Sequence, residues 1–122
     1  MTKAIVVQKY PMNMELVIEM LTTMGFIAHG TNDSNELIKM IEKELFDLII
    51  VDTELMGLDC GQLPKIIRNK PSYKDVAMVA ITNNEMPREK QRILNCGFDD
   101  YIPIPIDVSD FIKRMEKYKK SI

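Results

Sequence analysis

The sequence of 122 residues contains no tryptophan, one histidine and two cysteines. His29, Cys60 and Cys96 fit no metal-ligand or CxxC spacing. Two cysteines in a chain with 46% hydrophobic residues predict reduced thiols in a cytosol rather than a disulfide framework. We assign these three residues no chemistry.

An excess of either charge is also missing, as are long apolar runs. Sixteen basic and 18 acidic residues give a net charge of −2, so no overall field steers the chain onto nucleic acid. No apolar stretch approaches the roughly 18 residues of a membrane span, and the first residues lack a signal-peptide pattern. We expect a cytoplasmic protein with protein partners, and neither nucleic acid nor membrane among them.

The length and the apolar content suit one hydrophobic core, so we expect a single domain over residues 1–122. Strand and helix patterns alternate along it. The predicted strands lie at about residues 3–8, 26–29, 48–51, 76–82 and 100–102, and the predicted helices at about 13–24, 33–45, 61–68, 87–96 and 107–118. Alternation of this kind predicts an α/β fold with a doubly wound, five-stranded parallel sheet, (βα)5 and flavodoxin-like, in strand order 2-1-3-4-5.

The central strand, from Leu48 to Val51, ends in Asp52. The predicted strand order brings the ends of the first, third and fourth strands together, so Gln8, Lys9, Asp52 and Thr82 should share a pocket with the turn at residues 102–105. A carboxylate in this position either contributes to a ligand site or only caps the following loop.

Six segments together carry a family resemblance over nearly the whole length of the chain. They are Ile5–Val7 with Pro11–Asn13, Asp47–Asp52, Gly57–Asp59, Val79–Thr82, Gly97–Tyr101 and Pro105–Ile106. Because of the order and spacing of these six segments, the sequence resembles the receiver domains of two-component response regulators, particularly those of hybrid histidine kinases. The resemblance implies that Asp52 stands at the position that accepts a phosphoryl group from a histidine kinase. It also implies that Thr82 and Tyr101 are the switch residues.

Three departures fall on the chemistry of the pocket. Gln8 and Lys9 stand where the family has an acidic pair, Ile104 stands where it has a lysine, and Asn83 replaces a small residue. Phosphoryl transfer to a carboxylate needs Mg²⁺, which prefers carboxylate and water oxygens. We therefore expect no cofactor, with Mg²⁺ needed only if Asp52 is still phosphorylated. We hypothesise that the Lys9 ammonium pairs with Asp52 in place of the metal; the alternative is that Lys9 points into solvent.

The resulting functional prediction is an atypical receiver domain that acts as a metal-independent protein-interaction module and not as an enzyme. The alternative is a response regulator still phosphorylated on Asp52. A third hypothesis is an aspartyl-phosphate phosphatase. The expected partner is a histidine kinase or another signalling protein. A homodimer is also expected through the face that the family uses, here Met86 to Cys96, Tyr101 and Val108 to Tyr118, while the segment Met12 to Glu15 matches the surface that docks the phosphodonor.

Overall fold

The computed structural model of the chain describes residues 2–55, 61–83 and 86–119. Its strands are β1 (Lys3–Val7), β2 (Ile27–Thr31), β3 (Leu48–Asp52), β4 (Ala77–Thr82) and β5 (Asp100–Pro103). Its helices are α1 (Pro11–Thr23), α2 (Ser34–Lys43), α3 (Gln62–Arg68), α4 (Pro87–Asn95) and α5 (Val108–Glu116), with short 3₁₀ helices at Thr53–Leu55 and Pro71–Tyr73. No helix in these ranges is long and apolar enough to cross a membrane.

The five strands form one parallel sheet in the order β2-β1-β3-β4-β5. This confirms the predicted flavodoxin-like fold. β3 lies at the centre of the sheet, and each of its five side chains is buried. Sequential strands joined through helices must run parallel with their carboxyl ends at one edge, and ligand chemistry in such sheets is found at that edge.

Two apolar layers cover the sheet, because alternate side chains of each strand point to opposite faces. On one face, Ile5, Val7 and Ile49 pack against side chains of α2, α3 and α4. On the other face, Val6 and Ile50 pack against buried side chains of α1 and α5. α1 and α5 therefore share one layer.

The helix ends follow from local chemistry. Asp33 and Asp107 cap α2 and α5 by accepting hydrogen bonds from backbone N–H groups of the first turn. Gly25 and Gly97 follow the last residues of α1 and α4 with φ angles of 100° and 108°, a conformation that favours glycine over any residue with a Cβ. Each of these four residues indicates a helix boundary from the sequence alone.

One sequence prediction about the cysteines is wrong. Cys96 is disulfide-bonded, not reduced; Cys60, the other cysteine of the sequence, lies outside the described residues. The physical reason is topological: Cys96, at the end of α4, lines a surface cavity together with Gly61 and Lys65 from the start of α3. The separation of these segments along the chain conceals that proximity.

Tyr73 joins α2 to the strand that follows it. Its buried hydroxyl lies 2.7 Å from the Ile41 carbonyl and 2.8 Å from the Glu44 carbonyl, and it accepts a hydrogen bond from the Phe46 N–H at 3.2 Å. We expect Tyr73→Phe to lower the free energy of unfolding by about 1–2 kcal/mol, since these backbone groups lose a buried partner. Urea denaturation checks this, and a loss below about 0.3 kcal/mol would show that the bonds contribute little.

Candidate functional site

The candidate site lies where β1, β3 and β4 end. The register pairs Val7 with Val51, so Gln8 and Asp52 follow at neighbouring positions on the same face of the sheet. The Gln8 N–H donates to the Thr31 carbonyl at 3.1 Å, which continues the sheet by one residue beyond β1. The prediction that these strand ends meet is correct.

Asp52 is almost completely buried, with 4% of its surface exposed. Its Oδ1 accepts a hydrogen bond from the Glu54 N–H at 2.9 Å. Burial raises the pKa of the Asp52 carboxyl above its ordinary value of 3.8. This effect outweighs the backbone N–H groups of Glu54 and Lys9, which lower the pKa because they favour the charged form. The carboxylate is thus held at the carboxyl edge of the sheet at a cost in solvation.

We expect Asp52→Asn to stabilise the fold at neutral pH. An acid whose pKa rises on folding binds protons more readily in the folded state, so stability falls as pH rises from 3.8 through the raised pKa. The amide has no such penalty and keeps an oxygen for the Glu54 N–H. Denaturation curves should show the variant more stable than the wild type at pH 7, with a difference that shrinks as pH falls towards 3.8. A variant less stable at pH 7 would contradict this.

Gln8 has no exposed surface, and neither Nε2 nor Oε1 of its side chain has a hydrogen-bond partner. A buried primary amide without partners is costly, about 1–3 kcal/mol for a lost hydrogen bond. The resemblance assigns this side chain to one position of the family's acidic pair. It brings no charge to the pocket, only one acceptor and one donor group.

Lys9 does not form the predicted ion pair with Asp52. Its side chain is exposed, and its Nζ lies 5.5 Å from the centroid of the Tyr10 ring. Against the larger effect of burial, the Lys9 backbone N–H and the Lys9 charge both lower the pKa of the Asp52 carboxyl. The physical reason is solvation, because bringing an ammonium group beside a buried carboxylate removes its water at a cost of several kcal/mol. The Tyr10 contact leaves the ammonium hydrated.

Thr82 ends β4, and Ile104 follows the last residue of β5. Thr82 is buried at the end of β4, and the Ile104 N–H donates to its carbonyl at 2.8 Å. The Ile104 side chain packs against the apolar layer of α1 and α5. The position that the resemblance assigns to a lysine therefore carries a partly buried apolar side chain. Asn83, next to Thr82, is exposed. The segment Gly57–Asp59 lies outside the described residues.

Tyr101 lies on β5, at the edge of the sheet, and its ring has two cationic neighbours. The Lys90 Nζ is 5.3 Å and the Arg114 Cζ 4.9 Å from the ring centroid. Sequence reasoning identified Tyr101 but missed both cations. The sequence shows the i, i+4 spacing that pairs Asp110 with Arg114, but this spacing does not indicate that Arg114 or Lys90 contacts the ring.

This arrangement defines a class: a doubly wound parallel α/β domain with a buried carboxylate at the end of its central strand. The chain belongs to the response regulator receiver domain family, whose match covers residues 4–116. It is a receiver domain of two-component signalling, a family of modules that interact with histidine kinases or other signalling proteins.

The relatives include large kinases. Sensor histidine kinase GacS of Pseudomonas protegens is 30% identical over 107 residues, which cover 85% of this chain and 12% of that protein. Hybrid signal transduction histidine kinase B of Dictyostelium discoideum is 28% identical over 126 residues, covering 94% of this chain and 6% of that protein. The chain thus corresponds to the receiver portion of such kinases and spans a small part of their length.

Solved structures agree on the fold. The chemotaxis response regulator CheY4 of Vibrio cholerae has a TM-score of 0.87 at 21% identity, with 98% of this chain and 99% of that chain covered. The receiver domain of the sensor histidine kinase PA1611 of Pseudomonas aeruginosa has a TM-score of 0.82 at 21% identity, with 96% of each chain covered. That structure holds a magnesium ion in its active site cleft.

Proposed function

We propose that this receiver domain acts as a metal-independent protein-interaction module. The observation that carries the proposal is the buried, uncharged and unpartnered Gln8 side chain beside Asp52, at a position where the family carries a carboxylate. With Lys9 exposed and the partly buried Ile104 packed against the core, the pocket keeps the phosphoacceptor position without the charged groups that serve it elsewhere.

The described residues do not fit a divalent cation. Mg²⁺ in proteins is held by one or two carboxylates in near-octahedral oxygen geometry. Here Asp52 supplies a buried carboxylate, Gln8 offers one neutral oxygen, and the charge of Lys9 opposes a dication. The Glu54 side chain acts on Asp52 through its charge but is exposed. Across residues 2–55, 61–83 and 86–119, no group of three or more His, Cys, Asp or Glu side chains could hold a metal.

Surface apolar residues support the interaction function. On the layer shared by α1 and α5, Met12 is 82% exposed, Leu16 45%, Val108 54% and Ile112 40%. Met86 and Leu94, at the two ends of α4, are exposed as well. These partly exposed apolar side chains suit transient contacts with a histidine kinase or another signalling protein. A homodimer through α4, β5 and α5 stays a prediction, which sedimentation of the wild type and of Leu94→Glu would test.

The proposal predicts no phosphorylation of Asp52. Incubation with acetyl phosphate and Mg²⁺, followed by intact-protein mass spectrometry, should leave the mass unchanged, because the site lacks the acidic pair that would hold Mg²⁺ and a lysine at position 104 to neutralise the incoming phosphoryl oxygens. Asp52→Asn is the matched control. Addition of one phosphoryl group that requires Mg²⁺ and disappears in Asp52→Asn would overturn the proposal.

The phosphoacceptor function is the second candidate, and the position of Asp52 favours it. The carboxylate ends the central strand, and the next strand ends in the buried Thr82, the two positions that carry the reaction in the family. Against it stand Gln8, Lys9 and Ile104. The same mass measurement decides between the two functions.

We further propose that residues 1–122 constitute one receiver-like domain. The domain catalyses no reaction of its own, which sets aside the phosphatase reading, because such a phosphatase needs metal partners that the pocket does not supply. A cytoplasmic location and the absence of nucleic-acid partners stay predictions.

A further inference from the structure

The surroundings of Tyr101 differ from those of the pocket because they are rich in charge. Asp100, beside it on β5, is 7% exposed. Its Oδ1 accepts hydrogen bonds from the Tyr101 N–H and from Arg114 Nη1, both at 2.8 Å. Lys117 Nζ lies 3.4 Å from its other oxygen. β5 and α5 are therefore joined by ionic bonds beside the ring.

Arg114 is held by three acceptors. Besides Asp100, its Nη1 donates to the Tyr101 carbonyl at 3.1 Å and its Nε donates to Asp110 Oδ2 at 2.8 Å. These bonds fix the position of the planar guanidinium, and its Cζ lies 4.9 Å from the centroid of the Tyr101 ring. Attraction between a guanidinium and an aromatic ring at this distance is favourable, and more so where water is partly excluded.

Lys90 supplies the second cation from α4. Its side chain is half-buried, its Nζ lies 5.3 Å from the same ring centroid, and within the described ranges it forms no ion pair. The Tyr101 ring is thus the group that the Lys90 ammonium contacts. The ring receives one cation from α4 and one from α5.

We propose that Arg114 and Lys90 are positioning residues that hold the Tyr101 ring in one orientation. In this arrangement the ring joins α4 to α5 across β5, so the face formed by these elements keeps one shape. The inference deepens the proposed function and rests on it for its biological meaning. Its test uses neither metal nor phosphodonor. The inference about Tyr101 can therefore fail while the proposed function holds, and the proposed function can fail while the inference holds.

The experiment is an NMR measurement on protein carrying ¹³C-labelled tyrosine. Three-bond couplings report the χ1 rotamers of Tyr101, whose signals are assigned with Tyr101→Phe. We expect a single rotamer in the wild type and averaged couplings in Lys90→Met with Arg114→Lys, while the Tyr10 and Tyr73 signals stay unchanged. Lys113→Met is the matched control, because Lys113 is an exposed cation of α5 with no contact to the ring.

A single Tyr101 rotamer in the double variant would overturn the inference, even if thermal stability falls. Should that variant fail to fold, Lys90→Met alone decides, since Lys90 has no part in the Asp100 and Asp110 bonds. Shifted Tyr101 signals with a second rotamer are then expected, and signals identical to those of the wild type would equally overturn it.

Discussion

Restoring the family's acidic pair at positions 8 and 9 and its lysine at position 104 should give a domain whose stability increases with Mg²⁺. The triple variant Gln8→Glu, Lys9→Asp and Ile104→Lys places two more carboxylates beside Asp52 and supplies a cation across the pocket. Like charges at this spacing repel one another, so the metal-free variant should be less stable than the wild type. Bound Mg²⁺ reverses that loss.

The gain follows from mass action. With Mg²⁺ at ten times its dissociation constant, the folded variant gains about 1.4 kcal/mol relative to the unfolded chain. Differential scanning fluorimetry with and without Mg²⁺ measures this as a rise in Tm, whereas the wild type should show none. Gln91→Glu with Lys39→Asp is the matched control, since it makes the first two charge changes at exposed sites of α4 and α2.

Two results would contradict the account. Equal Mg²⁺ responses in the wild type and the triple variant would mean that Gln8 and Lys9 do not exclude the metal. A response in the matched control would mean that the rise reflects general screening of surface charge.

Removing the Asp100 carboxylate should cost more stability than removing the Tyr73 hydroxyl. Asp100→Ala leaves Arg114 without its buried partner and the Tyr101 N–H without its acceptor. Loss of one member of a fully buried pair costs about 3–5 kcal/mol. Because the Arg114 side chain is 25% exposed, we expect roughly 2–3 kcal/mol from urea denaturation.

Two comparisons make the Asp100 result specific. Asp110→Ala removes another partner of the same guanidinium. Because the Asp110 side chain is 37% exposed, this change should lower the free energy of unfolding by at most about 1 kcal/mol. Asp100→Asn keeps an acceptor for the Tyr101 N–H and should cost less than Asp100→Ala. A loss in Asp100→Ala no larger than in Asp110→Ala would contradict the prediction.

Tyr118 provides an independent readout of the same charge. Burial first, and then the charges of Asp100 and Asp99, raise the pKa of its hydroxyl to about 12. Asp100→Asn should therefore lower the pKa of Tyr118, which ultraviolet titration of the tyrosinate measures. An unchanged pKa would mean that the Asp100 charge is screened from this hydroxyl.

The sequence was enough to predict the sheet, its strand order and the position of Asp52. These depend on hydrophobic periodicity and on cap residues such as Asp33 and Asp107, which act over a few positions of the chain. The bounds were less accurate: α1 begins at Pro11, and β2 runs to Thr31.

The parts that the sequence did not predict depend on how side chains balance solvation against contact. The predicted ion pair between Lys9 and Asp52 is absent, and the Lys9 ammonium lies near the Tyr10 ring instead. The sum of charges in the site does not include the cost of removing water from the ammonium group, which depends on geometry. The two cations at the Tyr101 ring come from different helices, and the Cys96 disulfide likewise depends on contacts between segments distant in the chain. The unpartnered amide of Gln8 required the full packing of the core.

The most direct test of metal independence is a titration of the wild-type domain with Mg²⁺ and beryllofluoride, followed by the amide NMR signals of Asp52, Thr82 and Tyr101. The account predicts no saturable shift at any of the three residues at millimolar Mg²⁺, with or without beryllofluoride. Saturable shifts at Asp52 and Thr82 that require both reagents would contradict it and establish a working phosphoacceptor.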